Sequence, residues 1–232
     1  MASKSKSRVD ETYHRLRTDI LSGRHAPGSK LLSSSLCEQY NTSGGLLREV
    51  LTRLVGEGLA ISEPQRGFRV TPVSEDDLRQ LTEARALIES VVLRQSMDYG
   101  GVRFEADLIA AHYTLMHTTD IDASGSVVDD WLVAHRNFHW ALLAGSPNLR
   151  LQSMAGSLRD GAEVYRCWAT QFGDEPGRDI AAEHTRILNA VLARDVELAV
   201  SELVEHINHT MVVLLRSRGV DVASPAQSSV PA

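Results

Sequence analysis

Between Tyr13 and Thr71 the chain carries an ordered run of signals that leaves little freedom in how it can fold. Tyr13, Leu16, Ile20 and Leu21 recur at helical spacing, and the pattern stops at Ser22-Gly23. One amphipathic helix is predicted there. After the Pro27-Gly28 turn, Leu31, Leu36 and Tyr40 supply the apolar side of a second, shorter helix, whose free amides Ser33, Ser34 or Ser35 can cap. Asn41-Thr42-Ser43 then leads into a third helix with Leu47, Val50, Leu51 and Leu54 inward and Arg48 and Arg53 outward, closed by Gly56 and Gly58. Two strand candidates, Leu59 to Ser62 and Phe68 to Thr71, flank Glu63-Pro64-Gln65-Arg66-Gly67 and predict a hairpin.

Three short helices followed by a two-stranded wing is the order of a winged helix-turn-helix. The phrases Leu16-Arg17, Pro27-Gly28, Leu47-Arg48-Glu49-Val50-Leu51, Leu54, Gly58-Leu59 and Arg66-Gly67-Phe68-Arg69-Val70 fall in the order seen in one family. The chain resembles the GntR-type bacterial regulators with a FadR-like helical effector domain, the FCD domain. That resemblance implies a DNA reader at residues 1–72, a helical effector-binding and dimerisation domain at 73–218, and no enzymatic activity. It makes Ser34, Ser43, Gly44, Gly45, Arg48, Arg66 and Gly67 the candidate DNA-contacting residues, with operator DNA as the partner. Arg48 suits a base edge or a phosphate, and Arg66 with Gly67 suits a groove contact from the wing. The commoner family pattern has an arginine and a proline just before the Leu/Val-Arg-Glu segment; here Gly44 and Leu46 stand in those places. Without side chains at 44 and 45, the backbone amides can come close to a phosphate.

The distribution of charge agrees with such a division. Residues 1–73 hold eleven Lys/Arg against seven Asp/Glu, whereas the rest of the chain holds thirteen against twenty-three. A locally basic reader attached to an acidic body is compatible with DNA, because affinity comes from the few cations placed against phosphates. The acidic body is expected to point away from it. At 232 residues the chain is long enough for two small cores. No run of eighteen apolar residues predicts a membrane span, and the polar, basic stretch Met1 to Arg8 lacks the apolar segment of a secretory signal. Cys37 and Cys167 have no CxxC spacing, so both read as core or half-buried thiols of a cytoplasmic protein.

A boundary is expected near Thr71-Pro72-Val73-Ser74, with Ser74 and Asp77 in a helix-capping arrangement. From there the pattern is helical, with candidate helices at about 75–98, 102–119, 125–145, 147–171, 178–193 and 195–217. Turn signals at Tyr99-Gly100-Gly101, Asp122 to Gly125, Gly145-Ser146-Pro147, Gly173 to Gly177 and Arg194-Asp195 separate them. The fold class is therefore mainly α: a winged helix-turn-helix followed by an all-α antiparallel bundle. The small, polar stretch 219–232 reads as a disordered tail.

The chemistry of the second half lies in its histidines. His135 and His139 are four apart, which sets both imidazoles on one helix face, and His184 and His206 lie on two later helices. Bundles build metal sites from side chains that project inward from different helices, although a lone helix histidine is more often a core or surface residue than a ligand and an i, i+4 pair occurs by chance. The resemblance favours the metal. His135-Arg136-Asn137-Phe138-His139, followed by Ala141 to Leu149, stands where FadR-like effector domains carry Asp-x-x-x-His, and His184 and His206 match the two later ligands. Histidine in place of that aspartate makes the set softer and less negative, so zinc comes first, with nickel or copper ahead of manganese or magnesium. His209 reads as a neighbour of the site or a surface residue, while His14, His25, His112 and His117 read as ordinary helix histidines. The resemblance also puts a small carboxylate effector beside the metal, with Arg85 as its clamp and Tyr165 on the pocket wall. For Arg85 the simpler alternative is a salt bridge to Glu89 at i+4. Glu183 and Glu205 adjoin ligands in sequence but are not well placed by helical spacing to act as a general base.

The resulting expectation is a cytoplasmic, effector-responsive regulator, a repressor of small organic acid catabolism that binds a pseudo-palindromic operator as a homodimer. A small dicarboxylate is the expected ligand. Two other classes remain open: a constitutive DNA-binding protein with a structural metal, and a small metalloenzyme with a vestigial reader.

Overall fold

The computed structural model describes residues 8–119, 129–172 and 178–217, and is mainly helical with one small sheet. The first unit comprises α1 (Arg8–Leu21), β1 (Lys30–Leu31), α2 (Ser33–Gln39), α3 (Gly44–Gly56), β2 (Ala60–Glu63) and β3 (Gly67–Val70). The second comprises α4 (Glu75–Tyr99), α5 (Val102–Met116), α6 (Asp129–Leu143), α7 (Leu149–Phe172), α8 (Ile180–Leu192) and α9 (Val196–Ser217). The tail 219–232, the first seven residues, the turns expected at 122–125 and 173–177, and the side chain of Cys167 lie outside the described residues.

The apolar positions of α1 and α3 explain the first core. Leu16, Leu47, Val50, Leu51, Leu54 and Leu59 are fully buried together, each worth roughly 1.5–3 kcal/mol of transfer free energy. Ser43 caps α3 by accepting from the Leu46 amide, and Glu57 and Gly58, the latter at φ +74°, end it. Two expectations need correction. Leu31 does not belong to the second helix: it sits in β1, which pairs antiparallel with β3 (Lys30 opposite Arg69, Leu31 opposite Phe68), so the wing has three strands in the order β1-β3-β2. A two-residue strand is too short to show an alternating pattern, so the sequence could not reveal it. Nor do the serines cap α2. Its N-cap is Leu32, with no side-chain cap bond, and Ser33, Ser34 and Ser35 are exposed in its first turn. At the tip of the wing Gln65 and Gly67 both have left-handed backbones (φ +61° and +87°), and glycine bears this without strain.

The helices of the second unit form an antiparallel bundle in which α4 packs on α9 and α7, α5 on α6 and α8, and α8 on α9. Ser74 caps α4, its hydroxyl accepting from the Asp77 amide at 3.1 Å. The turn after α6 is pressed against α4: a Cβ on Gly145 would lie 2.6 Å from the Ser96 carbonyl oxygen, so only glycine allows this approach. Among the described residues α9 is the one helix long and apolar enough to cross a membrane. Here its Ala199, Val200, Leu203 and Ile207 are buried in the bundle core with Phe138, Leu142 and Ile187.

Candidate functional site

All seven candidate DNA-contacting residues are exposed: Ser34 on α2, Ser43, Gly44, Gly45 and Arg48 at the start of α3, and Arg66 and Gly67 at the wing tip. Gly44, Gly45, Arg48 and Thr52 follow helical spacing along one side of α3. A Cβ on Gly44 or Gly45 would meet nothing within 4 Å, so the protein's own packing does not demand glycine there. Arg53 differs from Arg48. Though half-exposed, its guanidinium lies 3.5 Å from the Tyr13 ring centroid, 3.3 Å from Asp10 and 3.5 Å from Glu57. Its charge is engaged inside the unit.

In the bundle, α6, α8 and α9 bring the four histidines together. One ligand atom from each of His135, His139, His184 and His206 lies within 4.8 Å of all the others, and all four residues are buried. The Nε2 atoms of His135 and His139 are 3.2 Å apart, close to the edge of a tetrahedron with bonds of about 2.0–2.1 Å. His139 Nδ1 and His184 Nε2 are buried with no hydrogen-bond partner. Burial holds the His139 imidazole well below its ordinary pKa, with Arg159 adding to the effect, and burial does the same to His184. Neutral imidazoles gathered in one buried cluster are the donor set a divalent transition metal takes, since ligation needs the unprotonated ring. The four residues thus fit such an ion.

The ring orientations are fixed from outside. His206 Nδ1 donates to Glu183 Oε2 at 2.7 Å, which leaves its Nε2 for the cluster, and His209 Nδ1 lies 3.0 Å from Glu183 Oε1. Burial opposes the Glu183 charge, but the hydrogen bonds from His206 and Arg178 outweigh it and hold the carboxyl far below the ordinary range. Glu183 is therefore an anion that orients the His206 ring, a contact that helical spacing within α8 did not reveal because its partner is on α9. On the other side Trp131 stacks on His135, ring centroids 4.9 Å apart.

His135, His139 and His206 also line a small cavity of about 40 Å³. Arg85, Arg159, Glu163, Tyr165, Thr82 and Thr210 form its polar wall, and Leu78, Leu81, Ile207, Met211 and Leu214 are among its apolar residues. Arg85 makes the i+4 bridge to Glu89 (2.7 Å) and lines the cavity as well. Glu89 is 1 % exposed and is shared with Arg159 at 2.9 Å. Burial pushes its carboxyl up, yet Arg85 and Arg159 outweigh that and keep it ionised. Tyr165 lines the cavity too, while its hydroxyl donates to Asp77 and accepts from the Ser74 amide at 3.3 Å. Arg159 and Glu163, four apart on α7, were missed by sequence reasoning. An i, i+4 Arg–Glu pair looks like any solvated helix face until its burial is known.

A winged reader joined to a helical bundle with a buried polar site defines a class, the DNA-binding regulator with a separate second domain. The chain belongs to the gntR family of bacterial regulatory proteins, whose model matches residues 8–70, while the FCD domain model matches residues 80–209. It is 34 % identical over 211 residues to an uncharacterized HTH-type transcriptional regulator, BphR, of Paraburkholderia xenovorans, covering 90 % of this chain and 86 % of that one. It is 35 % identical over 198 residues to the HTH-type transcriptional repressor GlaR of Escherichia coli, covering 84 % and 90 %. Among solved structures, E. coli McbR/YncC shares the fold with a TM-score of 0.75 at 20 % identity, over 92 % of this chain and all of that one. The family is one of transcription regulators, so the chain is a DNA-binding regulator and not an enzyme.

Proposed function

We propose that this regulator is a cytoplasmic homodimeric repressor of small organic acid catabolism, released from its operator by a small dicarboxylate bound beside a divalent transition metal. In this reading residues 1–72 read DNA and residues 73–218 bind the effector and form the dimer. His135, His139, His184 and His206 hold the metal, zinc first and nickel second. Arg85 binds the effector and Tyr165 closes the wall. Ser34, Ser43, Gly44, Gly45, Arg48, Arg66 and Gly67 face the operator. The sign of regulation follows the repressor named among its relatives.

The observation that carries the ligand class is the charge around the cavity. Arg85 and Arg159 are matched by Glu89 and Glu163, and burial keeps His139, His184 and His206 on the neutral side. A divalent ion held by neutral ligands leaves two positive charges uncompensated in a low-dielectric site, and a dianion neutralises them. The metal would supply Lewis-acid attraction for a carboxylate oxygen. The protein's part is bidentate hydrogen bonding from Arg85 and contact with an apolar wall. Release requires that the effector favour one arrangement of the two readers over the other.

Elemental analysis, with gel-shift titration of the regulator's own promoter region in the presence of zinc, chelator and short dicarboxylates, tests the reading. About one transition metal per chain and a shift weakened by a dicarboxylate are expected. The four buried histidines favour one alternative, a filled and purely structural metal site. It gives metal without any effector dependence. Metal-free protein with an effector-insensitive shift would remove the whole effector reading.

A further inference from the structure

The reader and the bundle touch away from the linker, and the contact is made by α6 and α7, two of the four helices that line the cavity. On α6, Leu132 packs against the core of the reader, three residues before His135. On α7, Asp160 Oδ1 accepts from Arg17 of α1 at 3.0 Å, one residue after Arg159, which bonds Glu89 beside the cavity. Consecutive helical residues point about 100° apart, so one turn of α7 carries a cavity residue on one side and a reader contact on the next.

Arg17 is only 11 % exposed and has two carboxylate partners. One is Asp160. The other is Glu57, 3.5 Å from its Nε, at the C-cap of α3, where it also accepts the Tyr13 hydroxyl at 2.7 Å. The guanidinium therefore bridges the end of the recognition helix and the effector domain. Removing Asp160 would leave Arg17 paired within the reader, so the internal fold of the reader does not depend on the bridge.

We propose that Arg17 is a positioning residue: through Asp160 it fixes the angle at which the bundle carries the reader, and so sets the spacing between the half-sites that a dimer recognises. The inference rests on the homodimer reading above. A guanidinium shared by two half-buried carboxylates has a defined geometry because its donors form a rigid fork. A change in the cavity that moves Arg159 moves Asp160 with it, since both are on one rigid turn of α7. In-line motion of α6 would reach the reader through Leu132 by the same logic.

The test is selection of binding sites from a random DNA pool by the full chain, comparing wild type, Asp160→Asn and Asp160→Glu, with thermal melting to show that each is folded. Wild type should return two half-sites at one spacing. Asp160→Asn should return the same half-site sequence with relaxed spacing, the preference for the wild-type spacing falling about tenfold, as loss of one charge-assisted hydrogen bond implies. Asp160→Glu, which keeps the charge, should retain most of the preference. An unchanged spacing in Asp160→Asn overturns the role of Arg17, as does loss of the half-site sequence itself, which would make the bridge a support of the reader's fold. Single half-sites from wild type overturn the homodimer reading and the proposal with it. Should Asp160→Asn not fold, Leu132→Ala is read in the same way, because it thins the second contact between the two units without altering any charge.

Discussion

Apart from the buried Asp19 and the bridging Arg17 of the reader, the two units place their charge in opposite ways. In the reader, a core of leucine and valine supports cations that remain at the surface, with Arg48 and Arg66 exposed over a buried Leu47, Val50, Leu51 and Leu54. In the bundle the polar groups are inside: Glu89, Arg159, Glu163, Glu183 and all four histidines are buried. A surface that meets a polyanion needs only to be held rigidly, because the phosphates supply the partner charge. A site for a small ligand must desolvate its groups before the ligand arrives, and so must pair them internally. The contrast teaches that substitutions in the bundle should act on stability, and those on the reader's surface on binding.

The sharpest way to break this comparison is Glu89→Gln. It strands two guanidinium groups, and an unfolding titration should show a loss of about 3–5 kcal/mol, whereas Arg48→Gln should change stability by less than about 0.5 kcal/mol. Equal losses would sink the distinction. The same groups give opposite pH behaviour. Glu89 has its folded pKa lowered by Arg85 and Arg159 against the opposing effect of burial, so its stabilisation is complete above the ordinary carboxylate range and is lost as pH falls through the folded value. Tyr13 in the reader, raised by burial and by its bond to Glu57 to about 12, keeps its contribution below about 10 and loses it as pH rises towards about 12. Melting followed separately in acid and alkali should destabilise the bundle first in acid and the reader first in alkali.

Metal removal comes next in size. With zinc at about a hundred times its Kd, chelation should cost the bundle roughly 2.7 kcal/mol, and calorimetry should show a shift confined to the transition of the bundle. His139→Ala should bind no stoichiometric zinc, and full retention would remove His139 from the site. Arg48→Ala should weaken operator binding by about 1–3 kcal/mol with melting unchanged, an effect that gel shift and circular dichroism separate. The smallest effect is a gain. Leu32 is 59 % exposed and caps α2 without a side-chain bond, so Leu32→Ser should add about 0.5–1 kcal/mol to the reader. No change in the melting temperature would mean that the first amides of α2 are already satisfied by water.

The reader was legible because its signals are local. Helix periodicity, the turn into α3, Gly58 after it and the wing turn each act within a few residues, while the short β1 and the uncapped start of α2 escaped. The helices of the bundle were legible for the same reason, and Ser74 caps α4 as its spacing with Asp77 implied. The site was legible only in part. His135 and His139 share a helix and so a face, but Arg159, Glu163 and the anchoring of His206 by Glu183 depend on which helices pack together. Spacing within α8 bears only on whether Glu183 could serve as a general base; its bond to His206 depends on the adjacent α9.

The sequence by itself determined the local matters: the order of the helices and most of their bounds, which faces are apolar, the basic reader and acidic body, and the pairing of His135 with His139 on one turn. Each follows from interactions between residues a few positions apart, which chain geometry fixes before anything packs. Only the tertiary structure decided which charges are buried, that Glu89 is shared by Arg85 and Arg159, that the histidine cluster opens on their cavity, and that Arg17 bridges to Asp160. Those facts join residues far apart in the chain, and their energies depend on desolvation, which belongs to the packed assembly of helices and not to any segment alone.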